Sequence, residues 1–264
     1  FEGSLLDTLQ ELVSRASVAF HRAKSAERDR GLARAMQFAA LPRRRPVVPG
    51  HEFAACYVSS DEANLGGDWW DAVSFDDGRV ALVVGDVVGH GVAAASDMAA
   101  LRHSLRALLL SGMPPADALR SINTLALAEE PPEMASVVVV VYDPVTREAT
   151  CANAGHHAPL LVDHDRGVVQ ELECGRGPIL GAVPDGTYAQ VTSTLPERFE
   201  LLLYSDGFTE RRDPEEQREV DAELRRVLLD PAPAPSLQTR YERLVGRFST
   251  GQDDACVLAM RRVG

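Results

Sequence analysis

The chain has 264 residues, 45% of them hydrophobic and 25% charged, a makeup that excludes a disordered or fibrous protein and suffices for one large domain with an appendage. Lysine and arginine number 27 against 39 aspartates and glutamates, for a net charge of -12; a broad face for nucleic acid or anionic lipid is not expected, while an acidic excess can gather at a cation site. With no run of about 18 apolar residues and no basic lead into an apolar signal core, the chain is read as cytoplasmic, with no nucleic-acid or membrane partner.

The chain opens on Phe1 rather than Met and is read as a fragment whose natural neighbour lies upstream. Leu5, Leu9, Leu12, Ala16, Ala19 and Ala23 recur at alternating steps of four and three, with Leu6, Val13 and Phe20 beside them. That spacing predicts a helix over residues 1–40 with one apolar face. Its partner is either a missing upstream domain or a second copy in a parallel coiled coil; a homodimer through this helix is expected. Pro42, Pro46, Pro49 and Gly50 stop the helix and mark the boundary to a second unit, residues 41–264. Arg43, Arg44 and Arg45 read as a solvated basic linker.

Strand-like runs follow in "EFAACYVSS" and "RVALVVGDV", the latter after the turn Asp76-Asp77-Gly78. An apolar-faced helix is predicted over 92–110 and another over 115–128. A block of strands comes next, "MASVVVVVYD", "REATCANAG", "APLLVD", "VVQELE" and "RFELLLYSDG", the first two turned by Asp143-Pro144. Helical segments are predicted near 214–229 and 236–248, and "ACVLAM" closes the chain as a strand. Because strands and helices fall into blocks rather than alternating, the expected class is α+β with mainly antiparallel sheets. The four cysteines, Cys56, Cys151, Cys174 and Cys256, are far apart and without C-x-x-C pairing. They signal neither a zinc site nor a disulfide framework, and those in strand-like runs read as small buried hydrophobes.

Four places set aspartate beside a turn at a strand end: "LGGDWWD" (Asp68, Asp71), "VVGDVVGHG" (Asp86), "LLLYSDGFTE" (Asp206) and "GQDDACVLAM" (Asp253, Asp254). Apolar residues running directly into Asp86 and Asp206 place those carboxylates at the rim of the core, where an unpaired charge is costly. No matching set of lysines accompanies them, so a bound hard cation such as Mg²⁺ or Mn²⁺ is one answer; each aspartate alone is also an ordinary turn former. The glycines around His90 fit neither G-x-x-x-x-G-K-[ST] nor G-x-G-x-x-G, and the chain has no G-x-S-x-G or H-E-x-x-H. On local grounds His90 reads as a turn residue bonded to backbone.

In order and spacing, "FAALPRRRPVVPG", "LGGDWWD", "GDVVGHGVAAASDMAALR", "ANAGHHAPLL", "GPILG", "LYSDGFTERRD" and "QDDACVLAM" resemble the PPM metal-dependent protein phosphatases, in their bacterial SpoIIE/RsbU-type branch. The resemblance implies a central antiparallel β-sandwich flanked by helices on both sides, with two Mn²⁺ or Mg²⁺ ions at one end. It implies Asp68, Asp86, Asp206 and Asp253 as ligands, with the backbone carbonyl of Val87. Asp254, Asp71, His90 and Gly207 are further candidates, Asp71 with Trp69 as support for the metal loop. Two ions would activate a water for in-line attack on phosphorus, so no nucleophilic Cys or Ser is required. Val88 stands where eukaryotic relatives carry a histidine, and no arginine matches a phosphate clamp. Asn153, Gly155 and His156 are expected to serve turn and packing, and "GPILG" to form a neighbouring flap. The implied activity is serine/threonine phosphoprotein phosphatase, acting on a phosphorylated STAS-type anti-sigma-factor antagonist under an upstream sensor domain. The alternatives are a catalytically silent pseudophosphatase module and a phosphoesterase for small metabolites.

Overall fold

Valine fills five successive positions of β4 (Ala135–Tyr142), a run that only a strand covered on both faces can bury. Its neighbour β3 (Val80–Val87) is equally apolar, and the two pair antiparallel with Asp86 opposite Ser136. The computed structural model describes residues 11, 15–22, 24, 25, 28, 31, 42, 45–59, 66–89, 91–230, 235–251 and 253–263. One sheet runs β2 (Trp69–Ser74), β3, β4, β5 (Glu148–Ala154) and β8 (Gly175–Gly177), with β9 (Val191–Thr194) also on β5. The other runs β1 (His51–Val58), β11 (Ala255–Arg262), β10 (Phe199–Tyr204), β6 (Leu160–Asp163) and β7 (Val168–Glu171). Every pairing is antiparallel except β5 with β8.

The two-residue period of the strands sorts their side chains between two cores. In β10, Leu201 and Leu203 join the cluster between the sheets, while Leu202 faces the outer helices. In β11, Cys256, Leu258 and Met260 face inward, and Ala255, Val257 and Ala259 outward. Helices α1 (Val92–Leu110) and α2 (Pro115–Leu127) cover the β2-β3-β4-β5 sheet through Met98, Leu101, Leu105, Leu119 and Ile122. Helices α3 (Pro214–Leu229) and α4 (Leu237–Phe248) cover the other sheet through Leu224, Leu228, Tyr241, Leu244 and Phe248. The result is the expected α+β sandwich with helices on both sides.

Local chemistry explains the helix starts. Asp213 caps α3, accepting from the N–H groups of Glu215 and Glu216 at 2.7 and 3.3 Å, with Pro214 in the first turn. Ser236 caps α4 through the N–H of Thr239. The edge of β1 is covered by Gln238 of α4, whose side-chain amide bonds both the N–H and the carbonyl of Ala55 at 3.1 Å. Arg45, expected to be solvated linker, is exposed yet donates to the Phe53 carbonyl and to Gln238 Oε1.

Strands β2, β8 and β9 and the 3₁₀ helix Asp206–Phe208 go beyond the sequence reading. β8 is three residues of Gly-Arg-Gly and β9 four of Val-Thr-Ser-Thr, too short and too polar to announce themselves. In the N-terminal stretch, the described positions between residues 11 and 31 are helical and exposed. Leu5, Leu6, Leu9, Leu12, Val13 and Ala23 of its apolar face lie outside the described residues. Among the described residues, no helix is long and apolar enough to cross a membrane.

The cysteine expectation holds for Cys56 and Cys256, which are buried and free, and fails for the other two. Cys151 of β5 and Cys174, next to β8, form a disulfide with Cα atoms 4.7 Å apart. The parallel register, Ala152 opposite Gly175, brings them side by side, a proximity with no signature in the sequence. Such a bond is rare in the cytoplasmic setting read from the sequence. It closes a separation of 23 residues, worth about 3 kcal/mol. Dithiothreitol, or Cys174→Ser, is therefore expected to lower the melting temperature by roughly 6–12 °C; a melting curve indifferent to both would show that the bond does not form in solution.

Candidate metal centre

The ends of four strands meet at one rim of the sandwich. Trp69 pairs with Gly85, so the residue before β2, Asp68, falls opposite Asp86 of β3. Tyr204 pairs with Val257, which places Ser205 and Asp206 beside the segment leading into β11, where Asp253 and Asp254 lie. Backbone contacts draw these ends together. The Val87 N–H donates to the Gly67 carbonyl at 3.2 Å, and a Cβ on Gly67 would come 2.2 Å from the Val87 oxygen. A Cβ on Gly207 would stand 1.9 Å from the Asp254 carbonyl, so only glycine lets the 3₁₀ helix approach that turn.

The electrostatics show how close the carboxylates are. Burial, followed by the charge of Asp86, pushes the Asp68 carboxyl well above its usual range. Asp86 is raised to about 7, first by burial and then by Asp206. Asp206 and Asp253 are also raised, burial leading in each, with Asp206 adding to the shift of Asp253. Asp68 and Asp86 each act on the other's carboxyl. Among the described residues no lysine or arginine pairs with Asp68, Asp86, Asp206 or Asp253, although twelve ion pairs form elsewhere. An uncompensated, all-oxygen, anionic donor set fits a hard divalent cation. Among the described residues, no group of three or more His, Cys, Asp or Glu side chains is placed to hold an ion by itself; bound water would have to complete the coordination of a hard cation there.

The other candidates take different places. Asp254 is buried, accepting from Tyr57 Oη at 2.5 Å and from Ser59 Oγ at 3.3 Å, whereas Asp253 is exposed and caps the Asp254 N–H. Asp71 points to α1: Arg106 meets it at 2.6 Å and the buried Arg102 at 3.2 Å. Its charge is thus neutralised outside the carboxylate group, and it braces β2 against α1. Trp69 is fully buried against Gly85. Gly207 donates its N–H to Asp206 Oδ1 at 2.7 Å. His90 lies outside the described residues. "GPILG", expected as a flap, is pinned: Leu180 is buried and bonds the Ala135 backbone in both directions, and Gly181 N–H donates to Asn123.

His156 serves structure, as expected. Its Nε2 donates to the Tyr204 carbonyl at 3.1 Å, so Nδ1 accepts from Ser136 Oγ at 2.6 Å, tying β10 to β4 across the two sheets. Asn153 closes the turn through the N–H and carbonyl of His156. Burial, then the neighbouring His157, holds the ring neutral by lowering its pKa from 6.5 to about 3. As pH falls the unfolded chain takes up this proton first, so stability is present above 6.5 and lost between there and about 3, by about 1.4 kcal/mol per pH unit. His156→Gln, which can keep both bonds, is expected to melt with a shallower dependence between pH 7 and 5; slopes equal to wild type would assign the acid sensitivity elsewhere.

His157 stacks on Tyr204 with ring centres 5.6 Å apart and borders Asp206. It lines grooves of about 750 and 470 Å³, which meet at His157 and Glu171. Sequence reasoning passed over Ser205, Tyr57 and the Arg102–Arg106 pair. Only the last had a legible signal, two arginines four residues apart on a largely apolar helix.

Residues 76–263 match the family of stage II sporulation protein E, SpoIIE. The chain belongs to the SpoIIE family. Within reach of this SpoIIE-family domain is the phosphoserine phosphatase RsbU of Bacillus subtilis, 26% identical over 156 residues, which are 59% of this chain and 46% of RsbU. The chain therefore spans about half the length of that relative. The crystal structure of the RsbU and RsbW domains of a Mycobacterium tuberculosis protein superposes with a TM-score of 0.72 at 32% identity, covering 85% of this chain and 63% of that one. RsbX in complex with magnesium shares the fold, with a TM-score of 0.64 at 15% identity over 83% of this chain and 98% of RsbX.

Proposed function

We propose that this SpoIIE-family chain is a metal-dependent serine/threonine phosphoprotein phosphatase. The observation that carries the reading is that Asp68, Asp86, Asp206 and Asp253 lie along one rim, raising one another's pKa, with no arginine or lysine paired to them among the described residues. These four side chains, with the Val87 carbonyl, would hold two Mn²⁺ or Mg²⁺ ions; the magnesium in RsbX supports the choice of a hard cation. Bound there, the ions supply Lewis-acid polarisation of the phosphoryl group and an activated water. The chain's own part is to hold the carboxylates at the rim and, through Gly67 and Gly207, to keep the backbone turns close beneath them. Asp253 is favoured over Asp254 because both Asp254 oxygens already accept bonds from Tyr57 and Ser59.

The name of RsbU as a phosphoserine phosphatase supports phosphoserine as the substrate class. A small phosphorylated STAS-type anti-sigma-factor antagonist is the proposed partner, with a homodimer and an upstream sensor domain joined through the helix over residues 1–40. The test is phosphate release from a phosphoserine STAS-domain protein after chelation and after Mn²⁺ is restored, compared with small phosphate esters. Turnover that returns with Mn²⁺ and favours the phosphoprotein is expected. No turnover at any Mn²⁺ concentration would make the domain a silent binding module, and a preference for small esters would make it a metabolite phosphoesterase.

A further inference from the structure

Ser205 sits between Tyr204 and Asp206 in the run "LLLYSDG" and is completely buried. All of its polar atoms have assigned work. Its N–H donates to the Cys256 carbonyl at 2.9 Å, and its Oγ accepts from the Cys256 N–H at 2.9 Å. With that lone pair taken by the backbone, the single hydroxyl proton is directed away from β11, and it meets Asp68 Oδ2 at 2.5 Å. Asp68 is itself only 2% exposed. The bond joins residues 137 apart in sequence and crosses from the β10 end of one sheet to the β2 end of the other.

The geometry points to Ser205 as the positioning residue for Asp68: a hydroxyl locked to the β11 backbone holds Oδ2 and so fixes the rotation of the Asp68 carboxylate, which faces Asp86 at the metal centre. The inference rests on the metal-site reading above. A carboxylate with no such partner would turn about its own axis and toward Asp86, so the ligand set would have to be ordered each time an ion bound. Partners of this outer kind typically contribute 10–100-fold in metal affinity or activity. Ser205, whose hydroxyl bonds Asp68 and the Cys256 N–H, acts through Asp68.

The experiment measures Mn²⁺ affinity by titration calorimetry on the whole chain, with melting of the metal-free protein alongside. Wild type, Ser205→Ala, Ser205→Thr and Ser205→Cys are compared. Ser205→Ala is expected to weaken Mn²⁺ binding roughly 10–100-fold, Ser205→Cys to fall between, and Ser205→Thr, which keeps the hydroxyl donor, to stay within about threefold of wild type. Activity at limiting Mn²⁺ should fall in the same order and recover in excess Mn²⁺, with the KM for a phosphoprotein unchanged. Wild-type affinity in a folded Ser205→Ala protein overturns the inference and leaves the metal reading standing; an equal loss in Ala and Thr variants overturns it in favour of simple packing. Should Ser205→Ala not fold, wild-type affinity in Ser205→Cys overturns it. If wild type takes up no Mn²⁺, the metal reading falls and the inference with it.

Discussion

Asp86→Asn is expected to cut Mn²⁺-dependent phosphate release by roughly 10³-fold, since an ion at such a site contributes several kcal/mol to the transition state and each 1.36 kcal/mol is a factor of ten. The amide keeps the shape of the side chain and removes its charge. Asp86 lies on β3, paired with Ser136 of β4 and one residue beyond the Trp69–Gly85 pair with β2, so the backbone has no reason to move. Burial and the charge of Asp206 already lift its pKa to about 7, which means the metal-free protein carries Asp86 at a cost. The neutral variant should therefore melt at the same temperature as the metal-free wild type or higher, and lose the upward shift that Mn²⁺ confers on the native state. Lost activity with an intact fold and no Mn²⁺ shift places Asp86 in the centre; retained activity removes it, and a melting temperature well below wild type would make the loss one of folding.

Asp71→Ala is expected to cost about 3–5 kcal/mol of stability, the usual penalty for leaving a buried charge without its partner. Arg102 is 6% exposed and faces Asp71 at 3.2 Å. Its side chain is buried, with Nη1 also 3.5 Å from His103 Nε2. Arg106, at 35% exposure, can turn outward and is the lesser loss. In a chain of this size the melting temperature should fall by roughly 10 °C. The double variant Asp71→Ala/Arg102→Met should recover most of it, because two apolar groups at a buried pair are often as stable as the pair itself. A loss below about 1 kcal/mol in Asp71→Ala would mean that the pair is solvated.

The two neighbouring aspartates of "GGDWWD" illustrate what a linear reading can and cannot separate. Both stand beside the same glycines and the same tryptophans, and local chemistry treats them alike. The β2–β3 register sends Asp68 to the rim, and the packing of α1 sends Asp71 to Arg102 and Arg106. "QDDA" poses the same problem, decided when Tyr57 and Ser59 on the far side of the chain engage Asp254. His156 was readable as a turn residue, but its bridge from Ser136 to Tyr204 was not.

By itself the sequence determined the class of the fold, because the period of apolar residues dictates which face each strand and helix buries: the valines of β4 and the blocks of strands and helices were legible, apart from β2, β8 and β9. It also marked where acidic side chains end apolar strands. Tertiary structure alone decided which of them meet, since Asp68 and Ser205 are 137 residues apart and joined only by the closing of two sheets. The Cys151–Cys174 bond follows the same rule. Local periodicity fixes the direction in which a side chain leaves the backbone, but contact between distant residues depends on strand order and register, which arise from the packing of the whole chain.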